Sequence, residues 1–204
     1  MLPSWASNES DLDSYARHIW YEIRMLIDQV SELVRRNPQG LASPSSTGFP
    51  GPVDDALLEA SLVHLRLLDD FLGSKGKYRR DVVATDWLPS WTPKRFLTKT
   101  ERDHINLQLA HLSTECDWGY PWDMTSMTTA CCKTFDDFVK ALDANNPGRA
   151  APLAEAREHA TRWLEGSPLR PRPPFSTAPA MTLDPDVAFA DVWRLNLAKP
   201  DDEV

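Results

Sequence analysis

Cysteine is scarce in this 204-residue chain. Its three thiols, Cys116, Cys131 and Cys132, are too few and too clustered for a disulfide framework, because adjacent cysteines bridge only with strain. They are expected to be reduced and structural. Positive charge is also short: 22 Lys and Arg stand against 30 Asp and Glu, a formal charge of −8. Wrapping a duplex needs concentrated Lys and Arg, so a broad duplex DNA surface is excluded, although a local basic patch is not. No apolar run reaches the roughly 18 residues that cross a bilayer, and residues 1–10 lack a basic stretch followed by an apolar one. The expectation is a cytoplasmic chain with no membrane partner.

Whole classes of chemistry are missing too. There is no phosphate-binding GxxxxGK[ST] loop, no GxGxxG, no GxSxG elbow and no HExxH. A metal centre in a helical bundle uses paired Glu-x-x-His motifs. Glu101 with His104 supplies one, while Glu155 and His159 are spaced one residue too far. His111, Cys116, Cys131 and Cys132 are suitable thiolate-site ligands, but they lack CxxC spacing. Neither a metal nor any cofactor is expected.

What remains has ordinary globular balance, 42% hydrophobic and 25% charged, at a length suited to one domain plus tails. Residues from Leu12 to Val34 place apolar side chains at steps of three and four, which predicts an amphipathic helix over 11–36. A mobile loop over 37–52, rich in Pro and Gly, follows it. The second helix, over 54–72, is expected to bury Leu57, Ala60, Val63 or His64, Leu67, Leu68 and Phe71. The cation-rich stretch 73–80 reads as a solvated loop, and 81–93 as a packed irregular segment with one helical turn. A third helix, over 100–115, has Thr100 as its cap. A fourth carries Met127, Cys131, Phe135, Phe138, Val139 and Leu142 behind a first-turn Pro121, and a fifth spans 151–165. The fold class is therefore all-α: an up-down bundle of four main helices plus a packed fifth, in a domain over 1–166. Residues 167–204 read as a Pro-rich linker and an apolar docking tail, with Val187, Phe189, Trp193, Leu195 and Leu197.

Polar residues on otherwise apolar helices mark the candidate site. The second helix carries Glu59, His64, Arg66, Asp69 and Asp70, with Arg66 and Asp70 spaced for an i,i+4 ion pair. The third carries Arg102, Asn106, Gln108 and His111. If these faces meet, imidazoles, guanidiniums and carboxylates share a pocket suited to acid–base work.

The run Ile105 to His111 resembles the HEPN superfamily, small all-α bundles of nucleic-acid-cleaving toxins and of bacterial defence and stress systems. Asn106 and His111 match the polar residue and the histidine of that family's motif, and Glu59 matches an acidic residue on the preceding helix. Ile105 stands where the family has arginine. The resemblance, over residues 54–142, implies RNA or a nucleotide as ligand and a homodimer as the working unit. Without the arginine it implies a binding or regulatory role, with His111, Asn106, His64 and Arg66 lining a polar pocket and Glu59, Asp69 and Arg102 as further binding residues. The alternative it leaves open is a metal-independent ribonuclease, with His111 as base or acid, Asn106 beside it, and Arg66 or Arg102 as the missing cation. A third reading, from the eight tryptophans and the apolar tail, is a structural protein that pairs with itself.

Overall fold

The first helix, α1 (Glu9–Arg36), buries Ala16, Ile19, Ile23, Leu26, Ile27, Val30 and Leu33, a stripe stepping by three and four residues. In this computed structural model the described residues are 9–37, 51–76, 81–110 and 120–166, with side chains described from Ser14 onward in the first stretch and to Leu109 in the third. All of them lie in one unit that extends to Leu169. The loop expected over 37–52 (save its ends), His111, Cys116 and the linker and tail over 167–204 lie outside them.

The described residues are helical and contain no strand. Helix α2 (Pro52–Gly73) starts with proline in its first turn, where the missing N–H costs nothing. A single turn, α3 (Ala84–Trp87), occupies the segment expected to be irregular, and Asp86 accepts the Val83 amide at 3.0 Å to hold its start. Then come α4 (Lys99–Ala110), α5 (Met124–Asn145), the short α6 (Pro147–Ala150) and, after a 3-10 turn, α7 (Ala154–Leu164). Helix α1 packs on α2, α5 and α7, and α5 also lies against α2 and α7. Helix α4 packs on the side of α2.

Aromatic packing fills the centre. Phe138 of α5 meets Phe71 of α2 edge-on at 5.5 Å and Trp91 of the α3–α4 connection at 5.3 Å. The expected α5 stripe, from Met127 to Leu142, is buried throughout. Helix α7 can approach closely because Ala156 and Ala160 form its inner face, and Arg157 ties it to Asp136 of α5 at 2.9 Å.

Three expectations need correction. Val34 near the end of α1 is 44% exposed; on α2, Leu67 is 49% exposed and, of the alternatives Val63 and His64, it is His64 that is buried, because α2 turns Ser61, Leu62, His64, Leu65, Leu68, Asp69 and Leu72 inward. The α4 cap is Thr98 rather than Thr100: its hydroxyl accepts the Glu101 amide at 3.2 Å, and Glu101 accepts the Thr98 amide at 2.6 Å. Helix α5 begins at Met124 with Asp123 as its cap, so Pro121 lies before the first turn.

Candidate functional site

Helix α2 has two polar edges. The one facing α4 is organised by Asp69, which is fully buried. Its carboxylate accepts the backbone amides of Phe96 and Leu97 at 3.0 and 3.1 Å and the Arg95 guanidinium at 2.6 Å. A buried carboxylate survives only with such a set of donors. The result is a clamp that holds the extended segment 91–98 against α2. The Leu72 carbonyl near the helix end reinforces it by accepting the Lys94 amide at 3.1 Å and the Trp91 indole N–H at 2.9 Å.

That clamp gathers three guanidiniums. Arg95 also reaches Asp70 at 3.1 Å, and Arg102 donates to the Leu97 carbonyl at 2.6 Å while standing 3.9 Å from Asp69. Arg66 donates to Asp70 at 2.9 Å, the ion pair its i,i+4 spacing predicts, and also to the Asn106 side-chain carbonyl on α4. Burial works against the Arg95 charge, but its bonds to Asp69 and Asp70 outweigh that and hold its pKa above the ordinary arginine value. Three guanidiniums against the two carboxylates they approach, Asp69 and Asp70, leave one positive charge over within this cluster, in a chain of net charge −8. Each guanidinium has five N–H donors, more than these bonds use, and the Arg66 and Asn106 end of the cluster is open to solvent. The arrangement can accept an anion in bidentate fashion.

The edge facing α1 has a different character. His64 is buried, and its Nδ1–H donates to Glu22 Oε2 at 2.5 Å. The Gln29 amide approaches the other ring nitrogen at 3.5 Å, and the Ser61 hydroxyl, donating to the Leu57 carbonyl at 2.7 Å, lies 3.4 Å from the Gln29 oxygen. The Tyr21 ring closes the outer side, edge-on to the imidazole at 5.9 Å. Both imidazole nitrogens face partners within the bundle, so a substrate reaches neither without displacing one.

Of the residues singled out from sequence, the structure thus brings together Arg66, Asp69, Arg102 and Asn106. It turns His64 the other way, toward α1, and leaves Glu59 exposed on the outer face of α2. The expected convergence of His64 with Arg66 and Asn106 is not present. Ile105 is fully buried, and its neighbour Asn106 is reached by Arg66 from across the helix pair. Sequence reasoning missed Arg95 and Glu22. Arg95 sits in a proline-flanked segment with no periodicity to report its direction, and Glu22 is one of several acids on a long amphipathic helix.

Glu101 and His104 also have structural partners. Glu101 belongs to the α4 cap and His104 stacks on Tyr120 at 3.9 Å, so the Glu-x-x-His pair is divided between two tasks. Among the described residues no group of three or more His, Cys, Asp or Glu side chains could hold a metal. Cys131 and Cys132 are free and buried, and burial pushes both thiols up, Cys132 to about 12. They are core residues rather than nucleophiles. No helix among the described residues is long and apolar enough to cross a membrane. Compared with known proteins, the chain matches no family model, no curated protein and no solved structure.

Proposed function

We propose that this chain is a helical-bundle binding or regulatory protein, HEPN-like in arrangement, that takes RNA or a nucleotide through its phosphate on the Arg66–Asn106 edge and works as a pair of identical subunits. The observation that carries the reading is the gathering of Arg66, Arg95 and Arg102 about Asp69 and Asp70 on one side of α2, with Arg66 also bonded to Asn106 of α4. A fork of guanidinium donors matches the geometry of a phosphate. The engagement of His64 with Glu22 and Gln29 favours binding over catalysis, because it removes one of the two imidazoles a cleavage site would use.

The test is fluorescence anisotropy with a labelled single-stranded RNA, alongside calorimetric titration with nucleoside phosphates. Binding should weaken with added salt, and Arg66→Ala should lower affinity by at least about tenfold through loss of a charge-assisted contact. Unchanged affinity in that variant would remove the edge from the reading. One observation favours the ribonuclease alternative: Arg66 sets a guanidinium beside Asn106, next to the place the motif's own arginine would occupy. In that case RNA is degraded in the presence of chelator, and His111→Ala abolishes the degradation.

A further inference from the structure

The apolar residues on the outward side of α2 form a pattern. Val53, Ala56, the half-buried Ala60, Val63 and Leu67 follow one another at steps of 3, 4, 3 and 4 residues, the spacing of a coiled-coil seam. Val53, Val63 and Leu67 are 55%, 40% and 49% exposed, and Ala56 is exposed as well. A 3.5-residue apolar stripe facing solvent is unusual on a bundle whose other long helices turn their stripes inward. On the α1 side the stripe is extended by Tyr21, 47% exposed against His64. On the opposite flank it is bordered by one acid and one base a heptad apart, Glu59 and Arg66.

We infer that this face is the surface through which two copies of the chain pair, α2 against α2, antiparallel about a two-fold axis between Ala60 and Val63. Two features select a second copy as the occupant. First, antiparallel two-fold pairing sets Ala60 opposite the partner's Val63 and Ala56 opposite the partner's Leu67, small against large, so the helices approach closely without a void. Second, the same register brings Glu59 toward the partner's Arg66 and, by symmetry, Arg66 toward the partner's Glu59, since like flanks meet in antiparallel pairs. A parallel pair would not bring these two charges together. The seam occupies one face of a 22-residue helix, which at ~1.5 Å per residue is about 33 Å long. A contact confined to one face of one helix falls at the small end of specific interfaces, so pairing should depend on concentration.

This inference deepens the self-association in the reading above and rests on it; its flanking charge pair shares Arg66 with the proposed phosphate edge, while its apolar seam residues Val63 and Leu67 take no part in the hydrogen bonds of that edge. Sedimentation velocity of the full chain over a concentration series should show a species of twice the chain mass. Val63→Glu with Leu67→Glu should weaken pairing at least ~100-fold by burying charge at the seam, while helical circular dichroism stays as in the parent. Glu59→Arg alone should weaken pairing about tenfold through like-charge contact, and adding Arg66→Glu should restore it even though RNA binding is lost. A chain that stays monomeric throughout overturns the inference, as does a dimer untouched by the seam substitutions. If the double glutamate variant fails to fold, the charge pair decides: no weakening in Glu59→Arg, or no recovery in the swap, overturns it equally. Loss of RNA binding with pairing intact would count against the ligand reading alone.

Discussion

The two polar edges of α2 are built from the same kinds of side chain and end in opposite states. Toward α1, one acid and one imidazole face each other with an amide and a hydroxyl, a closed set. Toward α4, two acids face three arginines, and the surplus charge is left at the surface. The difference lies in what packs against each edge. Helix α1 is long and regular and covers its edge along the apolar stripe, so the polar groups there must satisfy one another. The α4 side is reached by a short extended segment and the start of a twelve-residue helix, which tether through backbone amides and leave side-chain donors over. A closed edge contributes to stability and an open one can also bind.

The comparison is broken most forcefully at Asp69. Replacing it with alanine leaves the Phe96 and Leu97 amides without their acceptor and Arg95 with Asp70 alone, and each buried donor left unsatisfied costs about 1–3 kcal/mol. Asp69→Ala should lower the melting temperature more than any other polar substitution on α2, and RNA binding should fall with it as segment 91–98 detaches. A thermal melt within a degree or two of the parent would show that the clamp does not hold the α4 edge together.

How far these edges could be read from sequence follows from the same contrast. The helices themselves were legible, because a three-and-four stripe such as Ile19 to Leu33 has only one arrangement that buries it. The Arg66–Asp70 pair was legible because both residues are on one helix. The facing of α2 was not: with leucines or valines at 57, 58, 62, 63, 65, 67, 68 and 72, apolar residues surround most of the helix, and periodicity cannot choose which of them turn inward. The structure puts polar Ser61, His64 and Asp69 inside and leaves Val63 and Leu67 outside, a choice made by partners on α1 and on segment 91–98. His64 was expected beside Arg66 for the same reason. Two residues along a helix is a turn of about 200°, which places them on nearly opposite faces.

A smaller effect tests how closely the α4 edge is fitted. A Cβ built on Gly73 would lie 2.3 Å from Arg95 Cγ, 2.8 Å from Arg95 Cα and 2.9 Å from its backbone nitrogen. The backbone atoms cannot move without releasing the Asp69 clamp, so Gly73→Ala is an overpacking substitution worth about 1–3 kcal/mol, against the usual gain from removing glycine in a helix. Chemical denaturation should report the loss. A stabilised Gly73→Ala protein would mean that segment 91–98 rides more loosely on α2 than the hydrogen bonds to Asp69 imply.

The mildest substitution draws the sharpest line between the edges. His64→Gln keeps a polar side chain at the α1 edge but loses the charge-assisted bond to Glu22, a change worth about 1 kcal/mol because Glu22 is near enough to the surface to recover water. Stability should fall by that small amount in a denaturant titration, and RNA affinity should be unchanged, since no atom of His64 touches the arginine cluster. Arg66→Ala should give the reverse pattern, little change in stability and a clear loss of binding. If His64→Gln weakened binding as much as Arg66→Ala does, the two edges would be acting as one site through the body of α2, and the separation argued from their partners would have to be given up.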